Sequence, residues 1–259
     1  MPAPSRLLVI GIDGADFAMI SRWLGQGRLP HLEALCERGC LLPCHSTRPP
    51  LTAPAWTTAL TGCNPGKHGI YEFLDLSYPT RRPFWLLPRG CPSVWRRVSD
   101  CGMSTGVFNV PATFPPEPVD GIMISGFGAP KPSFDWFYPR SLHDDFYRAC
   151  PTHALRPPVL GRSEWPDTDT LLGFVRSQLR ATRYLWSLRE FDTFMVVFNS
   201  LDWAGHGYPG QEAEGEVLLT VAQEIDRAVG ELVSQTDWPN TAVIIVSDHG
   251  MRLASRQIN

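Results

Sequence analysis

Ala242-Val243-Ile244-Ile245-Val246-Ser247-Asp248-His249-Gly250 sets five apolar residues before a serine followed by an acidic and an imidazole side chain. Such a run reads as a strand buried on both faces, the kind that parallel sheets contain. Polar groups placed at its carboxyl end must be satisfied at the rim of the sheet. The same grammar occurs twice more. Leu7-Leu8-Val9-Ile10 runs into Gly11-Ile12-Asp13-Gly14, and Phe194-Met195-Val196-Val197-Phe198 leads to Asp202-Trp203-Ala204-Gly205-His206. In an open α/β sheet the carboxyl ends of the strands line the crevice where ligands bind, so Asp13, Asp202, His206, Asp248 and His249 are expected to converge there.

Between these strands the signals alternate as a parallel sheet requires. Apolar periodicity predicts helices over Phe17 to Leu24 and His31 to Arg38, the second closed by Gly39. Pro54 suits the first turn of a helix that runs to about Thr61 before Gly62, which puts Thr52 just ahead of a helix N-terminus. Ser93 to Asp100 reads as a short helix, with strands over Thr105 to Val110 and Val119 to Ser125. Two long helices are expected at about Thr168–Arg189 and Gln211–Ser234. Residues 128–166, rich in Pro, Gly and aromatics, read as an irregular excursion covering the active face. The expectation is a single domain over residues 1–259, with no repeat or low-complexity segment.

The chain has 259 residues, 43% of them hydrophobic, enough for a sizeable core. A net charge of −3 without a basic run argues against a nucleic-acid scaffold. The first residues show no apolar signal region, and no stretch approaches the roughly 20 apolar residues of a membrane span. A cytoplasmic protein with no membrane partner is the expectation. Seven cysteines at irregular spacing, Cys36, Cys40 and Cys44 among them, support neither a disulfide framework nor a zinc ribbon and read as reduced thiols.

Carboxylate oxygens and imidazole nitrogens together suit zinc, and also manganese or iron, whereas an all-oxygen shell would suit calcium or magnesium. Asp202 and His206 are four apart, which on a helix puts both on one face. Asp248 and His249 are adjacent, and the turn at Gly250 can bring both to one ion or to two neighbouring ions. Each piece has a plainer reading: Asp13 as a cap for a helix starting near Asp16, and Thr52 as a helix cap without chemistry. Set beside a metal and a helix N-terminus, however, the Thr52 hydroxyl becomes a candidate nucleophile. The conjunction favours chemistry. A dinucleotide fold is disfavoured because Asp13 occupies the second glycine position of the required spacing.

These segments, with Thr52-Ala53-Pro54-Ala55-Trp56, Thr61-Gly62 and Pro65-Gly66-Lys67-His68-Gly69-Ile70, resemble the alkaline phosphatase superfamily, in particular the type I phosphodiesterase/nucleotide pyrophosphatase branch and its bacterial phosphohydrolase/phosphomutase-like relatives. The resemblance runs from residue 6 to residue 250. It implies a central, mostly parallel sheet flanked by helices, incomplete at the C-terminus. It also implies two divalent metal ions, zinc first and manganese second. Asp13, Thr52, Asp248 and His249 would hold one ion and Asp202 and His206 the other. Thr52 would attack phosphorus and form a phospho-threonine that water then hydrolyses.

Two departures shape the expectation. The family completes the second metal shell with a further His well downstream, and none follows His249 here; His45 and His68 could substitute only if the fold brought them near. Tyr71-Glu72-Phe73 also stands where nucleotide pyrophosphatases have an Asn that holds phosphoryl oxygens, and Trp56 stands where arylsulfatases have an Arg. The expected substrate is a small phosphate ester, a diester ahead of a monoester, with Trp136, Phe137, Tyr138 and Arg140 as candidates for ligand stacking or for packing. The alternatives are a cofactor-independent phosphomutase and a truncated, inactive metal-binding fragment. The sequence leaves the oligomeric state open.

Overall fold

A computed structural model describes residues 4–75, 82–84, 89–128, 133–153, 165–208, 214–237 and 240–251. In chain order the elements are β1 (Arg6–Ile12), α1 (Phe17–Gly25), α2 (Pro30–Arg38), α3 (Thr52–Thr61), α4 (Pro65–His68), the short pair β2 (Leu74–Asp75) and β3 (Arg82–Pro83), and α5 (Val94–Asp100). They continue with β4 (Thr105–Val110), β5 (Gly121–Ser125), β6 (Phe137–Tyr138), α6 (Leu142–Ala149), α7 (Thr168–Ser187), β7 (Thr193–Phe198), α8 (Ser200–Gly207), α9 (Glu214–Ser234) and β8 (Thr241–Val246).

Six strands form one sheet in the order β6-β5-β4-β7-β1-β8, parallel throughout except for β6, which runs antiparallel to β5. The mostly parallel α/β sheet is therefore present. The inner strands β1, β4 and β7 are apolar on both faces because helices cover both. Leu8, Ile10, Ile12, Phe194, Val196 and Phe198 join one core with residues of α2, α7, α8 and α9. The alternate residues Val9, Met195 and Val197 join the other with Trp56 and Leu60 of α3 and Trp95 of α5. Period-two alternation along each strand thus feeds two separate cores.

The sequence placed helix boundaries within a few residues, as frayed ends allow. One difference matters. Thr52 is the first helical residue of α3 rather than the residue before it, and Leu51 occupies the cap position with no side-chain hydrogen bond. Asp16, not Asp13, caps α1 by accepting from the Ala18 and Met19 amides at 3.0 and 3.1 Å, so the Asp13 carboxylate is not needed as that cap.

Residues 134–149, expected as part of an irregular cover over the active face, instead build the opposite edge of the sheet. Phe134–Trp136 form a 3-10 turn that leads into β6, and α6 follows. Trp136 and Phe137 are buried, and Phe137 packs on Phe146 at 5.5 Å between ring centroids, the packing outcome rather than ligand stacking. Arg140 pairs with Asp135 on the surface. Residues 129–132 and 154–164 of that stretch lie outside the described residues.

The thiol expectation also needs correction, because Cys63 and Cys91 form a disulfide with a Cα–Cα distance of 6.7 Å. Cys36, Cys40, Cys44, Cys101 and Cys150 are free. The bridge ties the end of α3 to the segment that leads into α5. Disulfides persist in oxidising compartments, so the thiol argument for a cytoplasmic location falls away. Among the described residues, no helix is long and apolar enough to cross a membrane.

Opening a link with a sequence separation of 28 restores chain entropy to the unfolded state, a loss of about 3.6 kcal/mol in the loop-entropy account. Urea unfolding of Cys91→Ser beside the parent is expected to show a loss of that order, and equal midpoints would show that the bridge does not form.

Candidate metal centre

The rim is built by three connections. After β1 the chain turns at Gly14, whose φ of 74° lies in the left-handed region. A Cβ there would stand 3.0 Å from the Asp202 Cα, so only glycine lets the β1 loop pass against α8. The β8 loop is fastened to the β1 loop. The Ala15 amide donates to Ser247 Oγ at 3.0 Å, Ser247 Oγ donates to the His249 carbonyl at 2.8 Å, and the Gly14 amide donates to Asp248 Oδ1 at 3.3 Å. A Cβ on Gly250 would approach Asp16 Oδ2 to 2.6 Å, so this glycine too marks a close passage.

Helix α3 arrives from the other face. A Cβ on Gly11 would overlap the Trp56 indole and reach within 2.7 Å of Val197 Cγ2, so the glycine lets the indole close up against β1. Trp56 Nε1 then donates to Asp13 Oδ2 at 3.4 Å. One helical turn earlier on α3, the Thr52 hydroxyl reaches His249 Nε2 at 3.0 Å.

Asp13, Asp248 and His249 bring one ligand atom each within 4.8 Å of one another, the one such group among the described residues. His249 Nε2 stands 3.3 Å from Asp248 Oδ2 and 3.6 Å from Asp13 Oδ1. Its Nδ1 faces the Gly250 carbonyl at 3.1 Å. A carbonyl only accepts, so Nδ1 carries a proton and Nε2 is the nitrogen turned towards the cluster, the orientation that metal-ligating histidines adopt.

Asp202 and His206 come from α8 at i and i+4, with His206 Nε2 3.4 Å from Asp202 Oδ1. Asp202 is buried, whereas the His206 ring is exposed and stacks on Trp165 at 5.6 Å between centroids and 16° between planes. That stacking was not legible in the sequence, since Trp165 lies 41 positions upstream of His206 in the chain. His68, a candidate extra ligand, is committed elsewhere. Its Nδ1 accepts from the Ile70 amide at 3.1 Å, so Nε2 carries the proton and donates to Thr58 Oγ1 at 2.9 Å. His45 is exposed and borders the cleft of about 910 Å³ that also reaches Asp248 and His249.

The electrostatics ask for a cation. Asp13 Oδ1, Asp202 Oδ1 and Asp248 Oδ2 are buried without a hydrogen-bond partner, while Asp13 Oδ2 and Asp248 Oδ1 are anchored. Unpartnered buried carboxylate oxygens are costly, and a divalent ion accepts several at once. The donor set of carboxylate oxygens and an imidazole nitrogen suits zinc or manganese. Burial, followed by the neighbouring Asp248 and Asp202 carboxylates, pushes Asp13 well above the carboxylate range. Burial likewise pushes Asp248 up to about 7. The Asp202 carboxylate beside His206 raises that imidazole.

Sequence reasoning missed one buried contributor. Asn199, at the end of β7, donates from Nδ2 to Asp13 Oδ2 at 2.7 Å. Its signal was the one that flagged the others, a polar residue directly after an apolar strand.

Residues 7–259 match the family model described as type I phosphodiesterase / nucleotide pyrophosphatase. Among solved structures, the phosphonoacetate hydrolase from Sinorhizobium meliloti 1021 in complex with phosphonoformate aligns with a TM-score of 0.64 at 17% identity, covering 96% of this chain and 57% of that one. Murine ectonucleotide pyrophosphatase / phosphodiesterase 5, in an inactive form in complex with AMP, aligns with a TM-score of 0.56 at 15% identity, covering 95% and 57%. The chain thus spans a little over half the length of these structures. No curated protein matches it.

With Asp13 and Asp248 raised, the folded metal-free chain holds protons that the unfolded chain releases above about pH 4, so its stability falls as pH rises from there to about 7. The urea midpoint of the metal-free protein is expected to drop from pH 5 to pH 7.5, and zinc is expected to restore it at pH 7.5 and act weakly at pH 5. A zinc effect equal at both values would show that the carboxylates are not the ligands.

Proposed function

Because this chain belongs to the type I phosphodiesterase / nucleotide pyrophosphatase family, we propose that it carries the nucleophile and the metal centre of a phosphoric ester hydrolase acting on small phosphorylated substrates. The observation that carries this reading is the convergence of the buried Asp13 Oδ1 and Asp248 Oδ2 with His249 Nε2, which stands beside the Thr52 hydroxyl. Asp13, Thr52, Asp248 and His249 would hold one divalent ion, and Asp202 and His206 a second, zinc ahead of manganese. When bound, the ions supply Lewis-acid stabilisation of charge on the phosphoryl and threonine oxygens.

The chain's own residues define the rest. Thr52 heads α3, where first-turn amides lack helical partners and the positive end of the helix dipole favours both an alkoxide and a phosphoryl oxygen. Thr52 Oγ1 attacks phosphorus in line, the bond to the leaving oxygen breaks, and a phospho-threonine forms. Water then attacks phosphorus, releasing the phosphorylated product and restoring the hydroxyl. His249, held by the Gly250 carbonyl, and Asp13, held by Asn199 and Trp56, keep their remaining donor atoms directed at this point. Asp202 and His206 gain no third protein ligand among the described residues, so the second ion is expected to bind more weakly than the first.

Hydrolysis of bis-nitrophenyl phosphate beside nitrophenyl phosphate, with zinc or manganese, is the direct test. Turnover is expected to favour the diester, to vanish with a chelator, and to fall by about a thousandfold or more in Thr52→Ala, as loss of a covalent nucleophile does. Metal-dependent turnover that survives in Thr52→Ala would remove the phospho-threonine from the reading. With a phosphosugar as substrate, an isomerised product and no released phosphate would identify a phosphomutase instead.

A further inference from the structure

Asn109, one residue before the end of β4, has φ of 56°, in the left-handed region, at a register shift where Phe108 pairs with Ile124 and Val110 with Ser125. It is the bulged residue of that ladder. Bulges of this kind re-aim a side chain, and asparagine tolerates the left-handed backbone better than most residues. A Cβ on Gly126 would overlap the Asn109 and Val110 backbone, so a neighbouring glycine accommodates the bulge.

The re-aimed amide is wholly buried and points across β7. Asn109 Nδ2 donates to the Val197 carbonyl at 2.8 Å and to Asn199 Oδ1 at 2.7 Å, and Asn199 Nδ2 donates to Asp13 Oδ2 at 2.7 Å. Chemistry fixes the direction of this chain. The Val197 carbonyl can only accept, so the Asn109 atom facing it is the amide nitrogen. That nitrogen's second hydrogen requires the Asn199 oxygen, which turns the Asn199 amide nitrogen towards Asp13. With Oδ2 so occupied, Asp13 presents Oδ1 to Asp248 and His249.

We infer that Asn109 and Asn199 are positioning residues for the metal centre, relaying the direction of a backbone carbonyl through two amides to fix which Asp13 oxygen meets the ion. This rests on the reading of Asp13 as a metal ligand. Outer partners of this kind commonly change metal affinity by about 10 to 100-fold.

The test is zinc affinity of the full chain, measured by competition with a chromogenic chelator, with urea unfolding recorded in parallel. Asn109→Gly keeps the left-handed backbone and removes the amide; its affinity is expected to fall about tenfold. Asn109→Asp keeps size and backbone preference but can only accept, which turns the Asn199 oxygen onto Asp13; its affinity is expected to fall further, towards about a hundredfold. Gln178→Met removes the other donor to the Val197 carbonyl and leaves both asparagines in place, so it should keep the parent affinity whatever its stability. Should the glycine variant not fold, the aspartate variant decides. Affinities of both Asn109 variants within twofold of the parent, or an equal loss in Gln178→Met, overturn the relay. A parent chain that takes up no zinc overturns the metal centre itself, and the relay with it.

Discussion

Like charges confined to one dry space govern this structure. Asp13, Asp202 and Asp248 are each less than a tenth exposed, and they approach from three different connections of the sheet. Left without a cation, they repel one another and lack solvent, which is why burial and neighbouring carboxylates together raise Asp13. The surrounding architecture holds them there nonetheless. Gly14 and Gly250 permit close passage of loops, Ser247 fastens one loop to another, and the apolar cores on both sheet faces supply the offsetting stability.

The route by which Thr52 reaches this space shows how packing and chemistry are coupled. Helix α3 lies on the sheet face that Gly11 leaves free, with Trp56 as the contact. The same indole that fills the core also donates to Asp13 from its polar edge. The depth of Trp56 therefore sets both the fit of the helix and the approach of Thr52 to His249. His68 and the Cys63–Cys91 bridge secure the far end of the helix, so α3 is fastened at both ends.

Strand β8 departs from the pattern of its neighbours. Its sequence, apolar at five successive positions, is that of a strand buried on both faces, yet it forms the sheet edge and Ile244 is 48% exposed. Beside it the cleft of about 910 Å³ runs from Asp248 and His249 past Val243 and Ile245 towards Leu41 and Leu42. The solved structures with this fold are longer chains, and the part that aligns covers 57% of them.

By itself the sequence determined the elements and singled out most residues of the candidate centre. Apolar runs of four or five residues fix strands, their alternation with amphipathic helices fixes a parallel sheet, and polar residues placed at strand ends announce the rim. Asp13, Asp202, His206, Asp248 and His249 were legible because each sits on or just past such an end, where local chemistry alone says it must find a partner. Tertiary structure decided what depends on distance in the chain. The sheet order sets β7 between β4 and β1, and that order brings Asn109 to Asn199 and Asn199 to Asp13, 90 and 186 positions apart. It also paired Cys63 with Cys91, committed His68 to Thr58, and sent residues 134–149 to the far edge of the sheet. Local propensity acts over a few residues, whereas a buried hydrogen bond is specified by which strands lie side by side, and only the folded chain fixes that.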